Sequence, residues 1–163
     1  MKIKRNKQSG FSLVELLIVV AVIMVISAIA IPSIIASGQA GRESAAVSNL
    51  KTIVTAEAQY HQLTDAYAPT AASLSMAGAN CPQQPDLTLG ACFVPTDLTN
   101  KFSGGVVNGY TFQLTTSGTS WSATATPDNN GGRKSYFVDA TGTIKWNATT
   151  AGATASDKAL GTT

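Results

Sequence analysis

The 163-residue chain is 44% hydrophobic and only 12% charged, about half the usual charged share, which excludes disorder driven by high charge and low hydrophobicity. Its formal charge of +2 is unevenly placed: Lys2, Lys4, Arg5 and Lys7 fall in the first ten residues, and the rest carries seven basic and nine acidic groups, a net of −2. No basic face for nucleic acid is visible in that remainder, and one histidine with two cysteines leaves little for a metal cage or an activated nucleophile.

The first predicted element is the apolar run Phe11 to Ala36, with sixteen Leu, Ile, Val or Phe residues and one charge, Glu15. As a helix it would span about 39 Å, more than the roughly 30 Å of bilayer hydrocarbon. A central charge costs about 2.5–3.5 kcal/mol on insertion scales, while the sixteen apolar side chains return about 5–10 kcal/mol. The segment is therefore expected to insert. The basic cluster before it keeps the N-terminus cytoplasmic and directs everything after it outward. A cleaved secretory signal would have a shorter apolar region and a small-residue cleavage site. This run is too long, and hydropathy by itself reads as a signal anchor.

The boundary of that run is more specific. Lys7-Gln8-Ser9-Gly10-Phe11-Ser12-Leu13-Val14-Glu15 places a glycine directly before the apolar segment and a carboxylate at its fifth residue. This resembles the class III signal of type IV prepilins and type II secretion pseudopilins, G-F-[ST]-L-x-E followed by a long apolar run. Pro32, twenty-two residues past Gly10, stands where pilin helices commonly carry a kinking proline. The resemblance implies that an inner-membrane prepilin peptidase cuts the leader 1–10 after Gly10 and that Phe11 is then N-methylated. It further implies that subunits leave the bilayer to stack, through helix 11–36, in a helical filament.

Glu15 can be read independently. A carboxylate in hydrocarbon needs a partner, and the apolar run holds none except the amine that cleavage creates at Phe11. Positions 11 and 15 share one helix face, so the first partner can be intramolecular. In a filament the same carboxylate could take a neighbour's amine and set axial register. The competing reading is a Glu15 that snorkels at the membrane interface. Pro32 removes one helical hydrogen bond and crowds the carbonyl near Ala28, which predicts a bend or loosened turn between Ser27 and Pro32. An ordinary membrane-helix kink would look the same in sequence.

From 37 to 64 the chain turns polar but keeps a helical period. Val47, Leu50 and Val54 recur at three and four, joined by Ile53, Ala58 and Tyr60. The two halves predict one helix of about fifty residues, roughly 75 Å long, weakened at Gly38 and Gly41 and stopped by Asp65, Ala66 and Tyr67-Ala68-Pro69. The stretch SAAVSNLKTIVTAEAQY is similar to the corresponding part of many bacterial pilin-like proteins. Residues 65–101 read as an irregular loop tethered by a disulfide. Cys81 and Cys92 enclose a loop whose closure is worth about 3 kcal/mol, and both are expected outside the cytoplasm. The alternative of a metal site lacks further ligands, since His61 stands by itself on a helix.

Residues 102–148 read as an antiparallel meander of about four strands, near 110–115, 121–126, 135–138 and 143–146, separated by Gly- and Asn-rich turns. Tyr110, Phe112, Trp121, Phe137 and Trp146 are expected in the core, with one sheet face on the helix stripe and the other polar. The tail 149–163 is expected to be loose. Asp128, Asn130 and Asp139 match three places of a calcium loop, but Gly132 and Arg133 break the pattern, so a β-turn is the reading preferred. Asn147-Ala148-Thr149 is a glycosylation sequon by pattern only. No context supports a triad through His61.

The expectation is an α+β structural protein, not an enzyme, with no catalytic, metal or cofactor-binding residues. It would be a prepilin of a type IV pilus-like filament, a homo-oligomer that meets the prepilin peptidase/methyltransferase and an inner-membrane assembly platform. As a precursor it would cross the inner membrane once; afterwards it would lie in an extracellular pilus or a periplasmic pseudopilus. A type II secretion pseudopilin and a monomeric membrane-anchored periplasmic binding module remain alternatives.

Overall fold

A computed structural model describes residues 10–74, 94, 102–129, 131–149 and 151–161. Residues 1–9 of the expected leader 1–10, Cys81, Cys92 and Asn130 lie outside the described residues. The chain divides into two compact units between Gly38 and Gln39. One helix, α1 (Leu13–Thr64, 52 residues), supplies the apolar segment of the first unit and the opening of the second, and it is helical on both sides of Pro32. It ends on Asp65, whose φ of 54° places it in the left-handed region and whose amide donates to the His61 carbonyl at 2.9 Å.

In the second unit α1 buries Ala46, Leu50, Ile53 and Ala56, a stripe at helical spacing, with Val47, Val54 and Tyr60 packed at its margin. Ala58, expected on that stripe, is exposed, and Glu57 is buried in its place. The stripe shares one core with Leu74, Val94 and Phe102 and with the inner face of a sheet. That sheet is a six-stranded antiparallel meander in sequential order: β1 (Ser103–Val107), β2 (Tyr110–Thr116), β3 (Trp121–Pro127), β4 (Ser135–Asp139), β5 (Lys145–Asn147) and β6 (Lys158–Ala159).

Four of these strands were legible from alternation; β1 and β6 were not. β1 carries two glycines and an irregular register between Ser103 and Val106, which hides its period. It is joined to β2 by Asn108-Gly109, both at positive φ (50° and 77°), a pair suited to a tight hairpin turn. β6 falls in the segment expected to be loose. There Asp157 accepts from the Thr154 amide (2.6 Å) and the Asn147 side chain (3.2 Å), and Lys145 Nζ donates to the Ala155 carbonyl (2.6 Å). The Leu160 amide donates to Ile144 (2.7 Å). Phe137 also departs from expectation. Register places Tyr136 and Val138 on the core side, whereas Phe137 lies half-buried between Thr124 and Lys145 on the other face.

Two acids of α1 tie the second unit together. Glu43 accepts from the Arg133 amide (2.9 Å) and the Tyr136 hydroxyl (3.4 Å), and Lys134 Nζ stands 3.4 Å away. Tyr110 donates to the Lys134 carbonyl at 2.8 Å. Burial, reinforced by the Glu43 charge, pushes the Tyr110 hydroxyl up to about 12 and holds Tyr136 well above the usual phenol range. A Cβ on Gly132 would collide with the Tyr110 hydroxyl and the Glu43 side chain. Glu57, fully buried, accepts the Ala68 amide at 3.0 Å through Oε2, while Oε1 has no partner among the described residues. Burial pushes this carboxyl from 4.5 up to about 7, against the opposing pull of the Ala68 amide.

Two outcomes follow from these contacts. Gly132→Ala should destabilise the chain by about 1–3 kcal/mol, the usual cost of overpacking, and lower its melting temperature in detergent solution. For Glu57, the folded chain holds a proton that the unfolded chain has lost between pH 4.5 and about 7. The stability this supplies is complete below that window and disappears as pH rises through it, by on the order of 1–3 kcal/mol. Melts of wild type and Glu57→Gln across the window should show the variant with the flatter profile.

Candidate functional site

The first unit presents an apolar surface on every side. Its large apolar side chains from Phe11 to Ile35 are exposed to between 46% (Val20) and 80% (Phe11). A helix hydrophobic all round belongs in a protein interior or in lipid. This one is long and apolar enough to cross a membrane.

Its start is defined by short-range hydrogen bonds. Gly10 is exposed and precedes the helix, with nothing within 4 Å of the place a Cβ would occupy. Ser12 stands at the N-cap position and its carbonyl accepts the Leu16 amide at 3.4 Å. The Ser12 amide in turn donates to Glu15 Oε2 at 3.1 Å. This is the reach-back half of a capping box, with the acid at the positive end of the helix dipole. The only ionisable group of the apolar run is thereby turned toward the backbone one residue from Phe11. An ionised carboxylate offers about four acceptor positions. The Ser12 amide uses one of them, which leaves capacity for a further donor nearby.

The structure therefore brings Gly10, Phe11 and Glu15 to one short stretch, with Pro32 farther along the same helix. The capping role of Ser12 was missed in sequence, although the S-x-x-E spacing at 12–15 signals it. The weaker candidates have local employment. Asp128 Oδ1 accepts the Asn129 amide at 2.8 Å. Asp139 Oδ1 takes the amide and hydroxyl of Thr141, and its Oδ2 lies 3.8 Å from Lys145 Nζ. Burial opposes ionisation of Asp139, but the Thr141 hydrogen bonds and the Lys145 charge outweigh it and hold the carboxyl below its ordinary value. The His61 ring stacks obliquely on Tyr67 at 4.6 Å. Among the described residues, no three His, Cys, Asp or Glu side chains gather as a metal site.

Residues 5–31 match a family model described as the prokaryotic N-terminal methylation motif. The chain is also 40% identical over 73 residues to the type IV major pilin protein PilA of Myxococcus xanthus (strain DK1622). That match covers 45% of this chain and 32% of the relative, so it spans about a third of the relative's length. No solved structure matches. Over these segments the chain is similar to the methylation motif and to a protein named as a type IV major pilin.

The capping contact predicts a local effect. Glu15→Ala should release the Ser12 amide and weaken the first turn by about 1 kcal/mol, raising its hydrogen-exchange rate about fivefold in micelles. Amides of the sheet serve as the unchanged reference.

Proposed function

We propose that this chain is the precursor of a type IV pilus-like filament subunit, cut after Gly10, N-methylated at Phe11 and polymerised through helix 11–36. The observation that carries the reading is Glu15, the one carboxylate of an apolar helix, held one residue from the chain end that cleavage would create. Cutting at Gly10 places a cationic amine on Phe11, and neutralising Glu15 there relieves the cost of a charge in hydrocarbon. Passing the carboxylate to a neighbour's amine would fix axial register between copies. Leaving the bilayer forfeits no apolar burial where neighbouring helices replace lipid.

The basic leader and the apolar helix support a single-pass inner-membrane precursor with a cytoplasmic N-terminus. Its partners in this reading are the prepilin peptidase/methyltransferase, an inner-membrane assembly platform and further copies of itself. A bend at Pro32 would let the helix adapt to its neighbours, and a Cys81–Cys92 disulfide would tether the loop 65–101 outside the cytoplasm. The similarity to a protein named as a major pilin favours a pilus over a secretion pseudopilus.

Mass spectrometry of the membrane-extracted protein should find methylated Phe11 as the first residue; an intact Met1 on assembly-competent protein would overturn the reading. Glu15→Ala should still be processed and remain in the membrane. Fibres sheared from cells carrying it should fall about tenfold or more, the scale of removing one partner of a buried charge pair. Wild-type fibre yield from Glu15→Ala would eliminate the charge-pair mechanism.

A further inference from the structure

Among the described residues Glu57 is the only acidic side chain that is fully buried, and nothing in the proposed filament role uses it. The Ala68 amide donates to its Oε2 at 3.0 Å, and its Oε1 has no partner among the described residues. The titratable groups flanking it on α1 are Lys51, Tyr60 and His61, of which Lys51 is exposed and the His61 ring stacks on Tyr67. On the turn that follows they are Tyr67 and the exposed Asp65, and the single 3-10 turn Ala71–Leu74 carries none. The sheet brings Tyr110 and Tyr136 to the shared core, but their hydroxyls are engaged with the Lys134 carbonyl and Glu43. Burial raises the proton affinity of Glu57 and the Ala68 amide lowers it, with no cation beside it to favour the ionised form.

The other end of the contact lies in a turn with little else to hold it. Of residues 65–70 only Ala68 is fully buried, so lifting this turn uncovers little apolar surface. It meets the end of the sheet through Thr116 Oγ1, which donates to the Pro69 carbonyl at 2.7 Å, and through the Tyr67 amide, which donates to the Gly118 carbonyl at 3.3 Å. β2 and β3, by contrast, pair over seven successive residues. An enclosed carboxylate with one amide donor is costly to ionise, and opening the turn hydrates it without disturbing the sheet.

We propose that the Glu57–Ala68 contact is a proton-dependent latch: the protonated carboxyl holds turn 65–70 against α1, and loss of its proton lets that turn open while the sheet stays folded. The sign follows from linkage. With the turn open, Glu57 is hydrated and releases its proton near the ordinary 4.5; with the turn closed it holds the proton up to about 7. Below that window both states are protonated and the latch is at full strength. Within it only the closed state keeps the proton, so opening grows by up to about tenfold per pH unit, and above it opening levels off. The junction between α1 and the segment that follows it therefore loosens as the surroundings pass from mildly acid to neutral.

The test is site-resolved hydrogen exchange on the full chain in zwitterionic micelles from pH 5 to 8, expressed as protection factors so that the intrinsic rise of exchange with pH cancels. Protection of the Tyr67 and Ala68 amides should fall about tenfold or more between pH 5 and 7 and then level off. Adding 1 M urea should change it by less than about twofold, because a short turn exposes little surface, whereas the most protected amides of β2 and β3 should lose about fivefold or more. Glu57→Gln cannot ionise and keeps an acceptor for the Ala68 amide; its turn protection should vary by less than about threefold across the range. His61→Gln should keep the wild-type fall. Protection of the turn that does not change with pH, a urea response equal to that of the sheet, a wild-type fall in Glu57→Gln, or its loss in His61→Gln would each overturn the latch. Thermal melts establish that the variants are folded. If Glu57→Gln does not fold, the carbon-13 shift of the Glu57 carboxyl decides: a midpoint near 7 supports the latch and one near 4.5 overturns it.

Discussion

A charged group set into a helix that is apolar on every side is the constraint around which the first unit is organised. Water cannot cover the side chains from Phe11 to Ile35 without a large free-energy cost, so they require lipid or other apolar helices. Glu15 opposes that transfer. Its hydrogen bond to the Ser12 amide satisfies part of the carboxylate within the chain and keeps it at the helix start, where the dipole favours a negative charge. In the proposed reading, processing completes what the cap begins by supplying a full positive charge beside it.

The second unit uses its helical acids in a contrasting way. Glu43 reaches across to the segment before β4 and gathers Arg133, Lys134 and Tyr136 around one carboxylate. This contact forms only because Gly132 leaves room for it, which couples a loop glycine to a helix surface nearly ninety residues away in sequence. Among the described residues Glu57 has a single amide donor, and desolvation outweighs that hydrogen bond in setting its proton affinity. The two acids illustrate how neighbouring geometry decides whether a helical carboxylate clamps a distant segment or holds a proton in the core.

The two halves of the chain also meet different selection of residue types. The first unit is built from Leu, Ile and Val with almost no polar interruption. The sheet's outer face is built from Thr, Ser and Gln, with Phe137 and Asp139 at β4. A face of that kind stays hydrated, offers hydrogen bonds in both directions and exposes little apolar surface. It suits a surface that meets polar molecules, whereas the first unit suits one that meets lipid or other apolar helices.

Features governed by local pattern could be read before the structure. The length and purity of the apolar run, the Gly10–Phe11–Glu15 spacing, the amphipathic continuation to Thr64 and four strands all follow from period and hydropathy, which act over a few residues. Ser12 was equally readable from its spacing to Glu15 and was overlooked. What tertiary structure decided were matters of register and long-range partnership. A shift of one residue exchanges Tyr136 for Phe137 at the core, and only pairing with β3 and β5 selects between them. β6 has two residues and no period to detect; it exists because Ala155, Asp157 and Leu160 around it bond to Lys145, Asn147 and Ile144, ten to sixteen residues earlier. The same holds for Glu57, whose burial beside Ala68 depends on how the chain folds back after Asp65. Hydrophobic period is written along the chain, whereas the choice of partner for a polar group is made only when distant segments arrive together.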